Sequence, residues 1–473
     1  MRRAIAVTSA SIALSAAVAC ATSDDEASPP PSSDPVPSTL QEAGAPDAAL
    51  PDAAPTMPSC SPGGWCITKL PDTELTLKDI WPLDDRAFAI AESPSLGVKV
   101  LEWDEAAKSW SYIDDDSQNS FEYDAYAGTI WAPSANEVYF ASGPGFIYHG
   151  KRAATSSPWS WERHELPDNS NDGWPDRDHG RLEYWSRWGL PLQSIALGVW
   201  GTSADDVYAW YSNTIFHWQS VDGGAPGWVP EYIAEDPESP EDSFFIFGAG
   251  GSGSGDVWFA GGRGRFTDSS IFRCPMVVRK SAGAYERLVD TMIDPTDVWS
   301  HYDDTCVEKK DVLAFSWSDG RTETMHWGHG GWMTSIASAG AGRVAGIVGE
   351  HLFAYVEAGS SPVARVNQVV AQVPRDILPS VVSSVSTLGD ETWLSGWGLV
   401  LRTPIDTKRW STGLGLMSED RAKQVGLDAA TYEISSTAMN GAPLDEPLYQ
   451  VRGTSNTNLW AIGREHALHK TTP

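Results

Sequence analysis

Beyond its first twenty residues, the 473-residue chain has no apolar run long enough to cross a bilayer as a helix. Cysteine is scarce: five residues are too few for a small disulfide-framework fold, and their spacings fit no familiar zinc pattern. Positive charge is scarce too. With 33 Lys and Arg against 63 Asp and Glu, the formal net charge is −30, which excludes a nucleic-acid backbone as partner and disfavours bare anionic lipid. No GxSxG, HExxH or phosphate-binding glycine loop is found, and the glycine-rich stretch 248–255 reads as a surface turn between two strands. The sialidase-type SxDxGxTW box is absent, with Ser318-Asp319-Gly320 only a superficial echo. No residue is therefore assigned a catalytic role.

What the chain has is repetition of short strands and turns, with 23 Trp, 43 Gly and 32 Pro. Residues 197–218, LGVWGTSADDVYAWYSNTIFHW, read as strand, polar turn, strand, strand. Relatives recur around Trp131 and Trp460. Taking the aromatic of the second strand as marker gives Phe88, Tyr139, Tyr208, Trp258, Phe315, Phe353, Trp393 and Trp460. The units around Phe315 and Phe353 are degenerate, and insertions fall near 164–197 and 414–448. Such a period predicts an all-β propeller of seven or eight four-stranded blades. Trp110, Trp161, Trp228, Trp332 and Trp410 are expected on fourth strands. The last unit ends before reaching one, and the missing strand is expected from 63–71, an N-terminal strand joining the C-terminal blade and closing the ring.

The N-terminus reads as an export signal over 1–19: Arg2-Arg3, then a short apolar run ending at Ala19-Cys20. Ala17-Val18-Ala19-Cys20 resembles the bacterial lipoprotein box, which implies lipid attachment at Cys20. Residues 20–59 are rich in Pro, Ala, Asp and Ser and are expected to form a disordered tether for a head at 60–473. Ala21 rather than Asp follows the cysteine, which by the same resemblance favours an outer-membrane location, periplasmic or surface-facing. The head itself resembles the tryptophan-rich β-propeller lipoproteins of myxobacteria and related bacteria, whose blades read close to VWGTSPNDVWAVGDGGTILHWDGSGW. That resemblance implies the fold and leaves activity open, because propellers host many functions.

Four cysteines remain for the head: Cys60, Cys66, Cys274 and Cys306, from which two disulfides in any of three pairings can form in an oxidising compartment. Cys60–Cys66 would close a small loop at the closing strand, and Cys274–Cys306 would tie neighbouring units. His149, His217 and His469 recur at one offset and are expected to pack beside the adjacent aromatic; His326 and His329 lack a third ligand. In the first insertion, Asp168, Ser170, Asp172 and Asp176 with Gly173 resemble the opening of a calcium loop, although the twelfth position is His179 rather than Glu. Plain Asx-turns are the alternative there. Tyr184, Trp185, Arg187 and Trp188 offer aromatic and arginine contacts for a partner, or simply pack the insertion on the ring. Residues 416–430 read as a short amphipathic helix.

The resulting expectation is an exported, lipid-anchored, monomeric propeller that binds or scaffolds an envelope protein or glycan, touching the membrane only through its lipid. Calcium is the one cofactor the sequence suggests. The alternative is a polysaccharide hydrolase or lyase with its site at one mouth of the central channel.

Overall fold

Blade 3 shows why these residues make strands. Val207, Ala209 and Tyr211 alternate with Tyr208 and Trp210 along Asp206–Tyr211, and all five are buried. A strand buried on both faces needs large or β-branched residues at every position, and it must lie between two other sheets. The polar turn Ala204-Asp205 then sends the chain back, and the strands Leu197–Ser203, Asp206–Tyr211, Thr214–Ser220 and Pro226–Ile233 form one antiparallel meander.

The computed structural model describes residues 60–118, 125–170, 178–185, 191–220, 223–266, 271–293, 306–317, 331–369, 381–411, 432–439, 444 and 446–473. Among them are seven such meanders: blade 1 (76–112), blade 2 (127–165), blade 3 (197–233), blade 4 (243–289), blade 5 (333–368), blade 6 (382–435) and blade 7 (448–470 with 65–67). Their first strands touch in ring order, from Thr76–Pro82 of blade 1 round to Leu448–Ser455 of blade 7, which touches blade 1 again. The protein is a seven-bladed β-propeller, and the first strands wall its channel.

The fourth strand of blade 7 is Trp65–Ile67, antiparallel to His466–Lys470 with Trp65 opposite Lys470. Its surroundings reach three blades. Trp65 is fully buried, its Nε1 donates to Ser435 Oγ of blade 6 at 2.9 Å, and its ring meets Trp393 edge-on at 6.4 Å. Thr68 donates to the Ala467 carbonyl of blade 7 and accepts from Trp110 Nε1 of blade 1. The disulfide Cys60–Cys66 ties the middle of this strand to the residues just before it, and Cys274–Cys306 ties blade 4 to the segment that follows it.

A repeated polar device joins the first strands. Asp79 accepts from the Ile130 N–H of the next blade, Thr129 from Val199, Ser335 from Val385 and Ser384 from Val451, at 2.7–3.1 Å. Each satisfies a backbone donor that points sideways out of its own sheet. At the blade 7–blade 1 seam, Gln450 Nε2 and Arg452 also donate to Asp79.

The blade count is seven, within the expected seven or eight. Several marker expectations require correction: Phe315 marks no blade, since it precedes Ser316–Trp317, a short parallel addition to the blade 5 sheet. Phe353 lies on a third strand, Leu352–Glu357; in blade 5 the second-strand position holds Ala345, with the aromatic displaced to Tyr355 opposite it. Trp110, Trp161 and Trp228 do sit on fourth strands. Trp332 instead precedes the first strand of blade 5, donating Nε1 to the Arg263 carbonyl, and Trp410 lies in the short helix Thr407–Ser411. The glycine-rich stretch is strand as far as Gly253. A Cβ on Gly251 would lie 2.3 Å from the Asp256 carbonyl oxygen, so only glycine lets the two strands approach there.

Candidate functional site

The histidines stack where their offset predicts. Tyr139–His149, Tyr208–His217 and Trp460–His469 lie with ring centroids 3.9, 4.5 and 4.0 Å apart, nearly parallel. Each imidazole Nε2 meets an oxygen two residues before the aromatic: Glu137, Asp206 and Asn458. Blades 4 and 6 place Arg279 and Arg402 opposite the aromatic, paired with Asp256 and Glu391. Blade 1 reverses the charges, with Arg86 donating to Glu102 opposite Phe88. These histidines are building residues of the repeat.

One titratable cluster lies between blades 3 and 4. Glu231 accepts from His217, Lys280 and Tyr285, and Lys280 also reaches the Tyr208 hydroxyl. Burial alone would raise the Glu231 carboxyl, but those three donors outweigh it and hold the group at about 2. Burial first, then Glu231, pushes the Tyr285 hydroxyl far above its ordinary range. Every member has a partner, so the cluster joins blades rather than presenting a reactive group.

A second cluster is fully buried. Arg263 donates to Asp290, Asp242 and Asp236 and rests over Phe244. Arg265, Arg287 and Lys309 supply further positive charge to the same carboxylates. Beside it a shallow recess of about 660 Å³ carries Arg287, Lys309 and Lys310 against Glu286, Glu308 and Asp311.

The other recess, about 390 Å³, opens at the turns that join first to second strands in blades 1 to 3. Its apolar wall is Trp81 and Trp131, whose rings meet edge-on at 6.2 Å. Gly201 backs it, since a Cβ there would lie 2.8 Å from the Trp131 ring. Ser134, Glu137, Thr202 and Ser203 supply the polar rim. The hydrogen bond from His149 is the main reason the Glu137 carboxyl sits below its ordinary value. The tryptophans belong to the repeated VWGTS-like strand ends, so their type was visible in the sequence; that blades 1 and 2 bring two of them to one recess was not.

In the first insertion, Asp168 Oδ2 and Ser170 Oγ both meet His179 Nδ1, at 2.7 and 2.9 Å, and Asp168 Oδ1 accepts the Ser170 N–H. That half of the loop is an Asx-turn closed on His179. Asp172 and Asp176 lie outside the described residues, and no group of three or more His, Cys, Asp or Glu able to hold a metal occurs among the described ones. The insertion continues as a hairpin, Arg181–Trp185 with Pro191–Ile195. Tyr184 packs edge-on against Trp332 and beneath Arg273, with its hydroxyl on Ser194. The Trp185 side chain, Arg187 and Trp188 lie outside the described residues, as do Cys20 with the whole of 1–59, His326, His329 and 416–430.

No protein family matches the chain, and no curated protein does. Among solved structures it is similar to YCF48 from Cyanidioschyzon merolae, at 11% identity and TM-score 0.47 over 87% of this chain and 99% of that one. It is equally similar to YCF48 bound to D1 peptide, at 11% identity and TM-score 0.47 over 88% and 100%. The WD40 propeller domain of Doa1 follows at 10% identity and TM-score 0.41, over 86% and 96%. Similarity this distant does not extend to what a propeller binds.

Proposed function

We propose that this chain is a non-catalytic binding or scaffolding propeller for a protein or glycan partner, exported and held at the bacterial envelope by a lipid on Cys20. One observation carries the non-catalytic part. The seven first strands that wall the channel contain only three charged side chains, Lys78, Asp79 and Arg452. All three are engaged: Lys78 pairs with Glu92 at 2.9 Å, and Arg452 pairs with Asp79. A hydrolase or lyase working in the channel needs an acid and a base converging on substrate. Apart from these three and Gln450, the walls are Gly, Ala, Ser, Thr and apolar residues. The resemblance to lipid-anchored propellers supports the envelope setting, and Cys20 with the 20–59 segment supports the tether.

The test immobilises residues 57–473, the compact unit, and asks what they retain from envelope extract with calcium and then with chelator. Retention of one defined protein or glycan is expected, and release by chelator would implicate the 168–176 loop. Cleavage of an envelope polysaccharide by the purified head, with no partner retained, would overturn the reading.

A further inference from the structure

The recess between blades 1, 2 and 3 brings an aromatic wall and a carboxylate together around one cavity. Trp81 is half-buried and Trp131 almost wholly so, leaving an aromatic wall that faces a cavity of about 390 Å³. That volume lies at the small end of ligand pockets and holds one extended side chain. Across the wall lies Glu137. Its Oε1 takes His149, Tyr139 and Lys151, whereas its Oε2 has no hydrogen-bond partner among the described residues and is not among the buried unsatisfied atoms. A carboxylate oxygen left accessible beside an indole is the pairing that recognises a cation with N–H donors. The protein already uses it elsewhere: the Arg452 guanidinium rests 4.9 Å from the centre of the Trp81 ring and pairs with Asp79, as Arg279 does on Trp258 with Asp256. The rim adds the hydroxyls of Ser134, Thr202 and Ser203, and the whole chain carries −30. Long-range attraction therefore favours a positive visitor.

We propose that this recess receives an arginine or lysine side chain from a protein partner, stacked against Trp81 and Trp131 and paired with Glu137. The proposal rests on the binding-module reading and names the chemistry of its partner. A neutral sugar would also stack on an indole, but it would leave the accessible Oε2 of Glu137 without the charged donor that best satisfies it.

Calorimetric titration of the full chain in detergent micelles with acetyl-Gly-Arg-Gly-amide, its citrulline counterpart and maltotriose tests this. The arginine peptide is expected to bind at least fivefold more tightly than the citrulline one, with maltotriose weaker still. Glu137→Gln should weaken it about five- to tenfold, the range of a lost charge-assisted bond at a partly exposed site. Trp81→Leu should act similarly through the lost cation–π contact. Glu286→Gln, which removes one exposed charge on the far recess, should change nothing. Equal binding of arginine and citrulline peptides, tighter binding of maltotriose, or equal effects of Glu286→Gln and Glu137→Gln would overturn the proposal. If Trp81→Leu loses its near-ultraviolet signal, Glu137→Gln decides alone, because the amide oxygen still accepts from His149. If no arginine peptide binds while the head still retains a defined partner, this inference fails and the module reading stands. If nothing is retained either, both fail.

Discussion

Replacing Trp65 by alanine should show whether the strand Trp65–Ile67 holds the ring together. The indole is fully buried at the junction of blades 6 and 7. Alanine there removes a large apolar side chain, leaves a cavity against Trp393 and strands the Ser435 hydroxyl, which loses its donor. Large-to-small changes of this kind cost about 3–5 kcal/mol, and the orphaned hydroxyl adds about 1 kcal/mol. An unfolding entropy near 2.1 cal/mol/K per residue over about 400 residues makes each kcal/mol worth about 1 °C. Trp65→Ala should therefore melt about 4–6 °C below the parent protein, followed by near-ultraviolet circular dichroism at one scan rate. Ile67→Ala is the internal control: Ile67 lies on the same strand but is 43% exposed, and its loss should shift the melt by under about 1 °C. No shift for either variant would mean that this strand adds nothing to blade 7, and equal shifts would mean that burial of the Trp65 indole is not what holds it.

Other outcomes follow from the same contacts. Replacing Cys274 and Cys306 by serine should cost about 4 kcal/mol, and replacing Cys60 and Cys66 about 2 kcal/mol, because chain-entropy loss grows with loop length and the sequence separations are 32 and 6; denaturant midpoints under non-reducing conditions give the order. Arg263→Met should cost about 3–5 kcal/mol in the same assay by leaving three buried carboxylates short of their main counter-ion, and Arg263→Lys should rescue little because one ammonium cannot face all three at once. His469 is held at about 4, by burial first and Lys108 second. Since that is below its value in the unfolded chain, near 6.5, the unfolded state binds the extra proton and stability falls as pH drops from about 6.5 to 4. His469→Gln should flatten the dependence of melting temperature on pH across that window while leaving the acid loss below about pH 4.5 that Glu231 contributes.

How much of this was legible depends on the range of each interaction. The histidine stacks were, because Tyr208 and His217 face each other within one hairpin and the same spacing recurs at Tyr139–His149 and Trp460–His469. The Phe353 marker falls on the third strand of blade 5 because the marker position there holds Ala345 and the aromatic lies across the sheet at Tyr355. Trp332 misled for a related reason: a tryptophan after glycine looks like a fourth strand, yet its partner is the Arg263 carbonyl 69 residues away. Nor could Asp236, Asp242 and Asp290 be told from the other acids of a chain with 63 of them; only folding gathers them on Arg263. The Trp81–Trp131 recess belongs to this second kind, since its two walls come from different blades.

The diagonal pair beside each stacked aromatic explains how the repeats diverge while the blades keep their form. The position opposite the aromatic and the position two residues before it are occupied by His and Glu in blade 2, His and Asp in blade 3, Arg and Asp in blade 4, Arg and Glu in blade 6, His and Asn in blade 7, and Glu and Arg in blade 1. What the sheet requires is one donor facing one acceptor across the second and third strands, with the donor's flat group covering the aromatic in blades 2, 3, 4 and 7. It does not require a particular residue, nor a particular direction of charge, as blade 1 demonstrates with Arg86 on the second strand. Exchanging the members within one blade therefore tests the rule directly. Glu137→His with His149→Glu reverses blade 2 to the blade 1 arrangement, and the double variant should recover most of the stability lost by either single change, a coupling of about 1 kcal/mol read from a double-mutant cycle. Additive losses would mean that the stack of His149 on Tyr139, rather than the donor–acceptor pair, is what the blade needs.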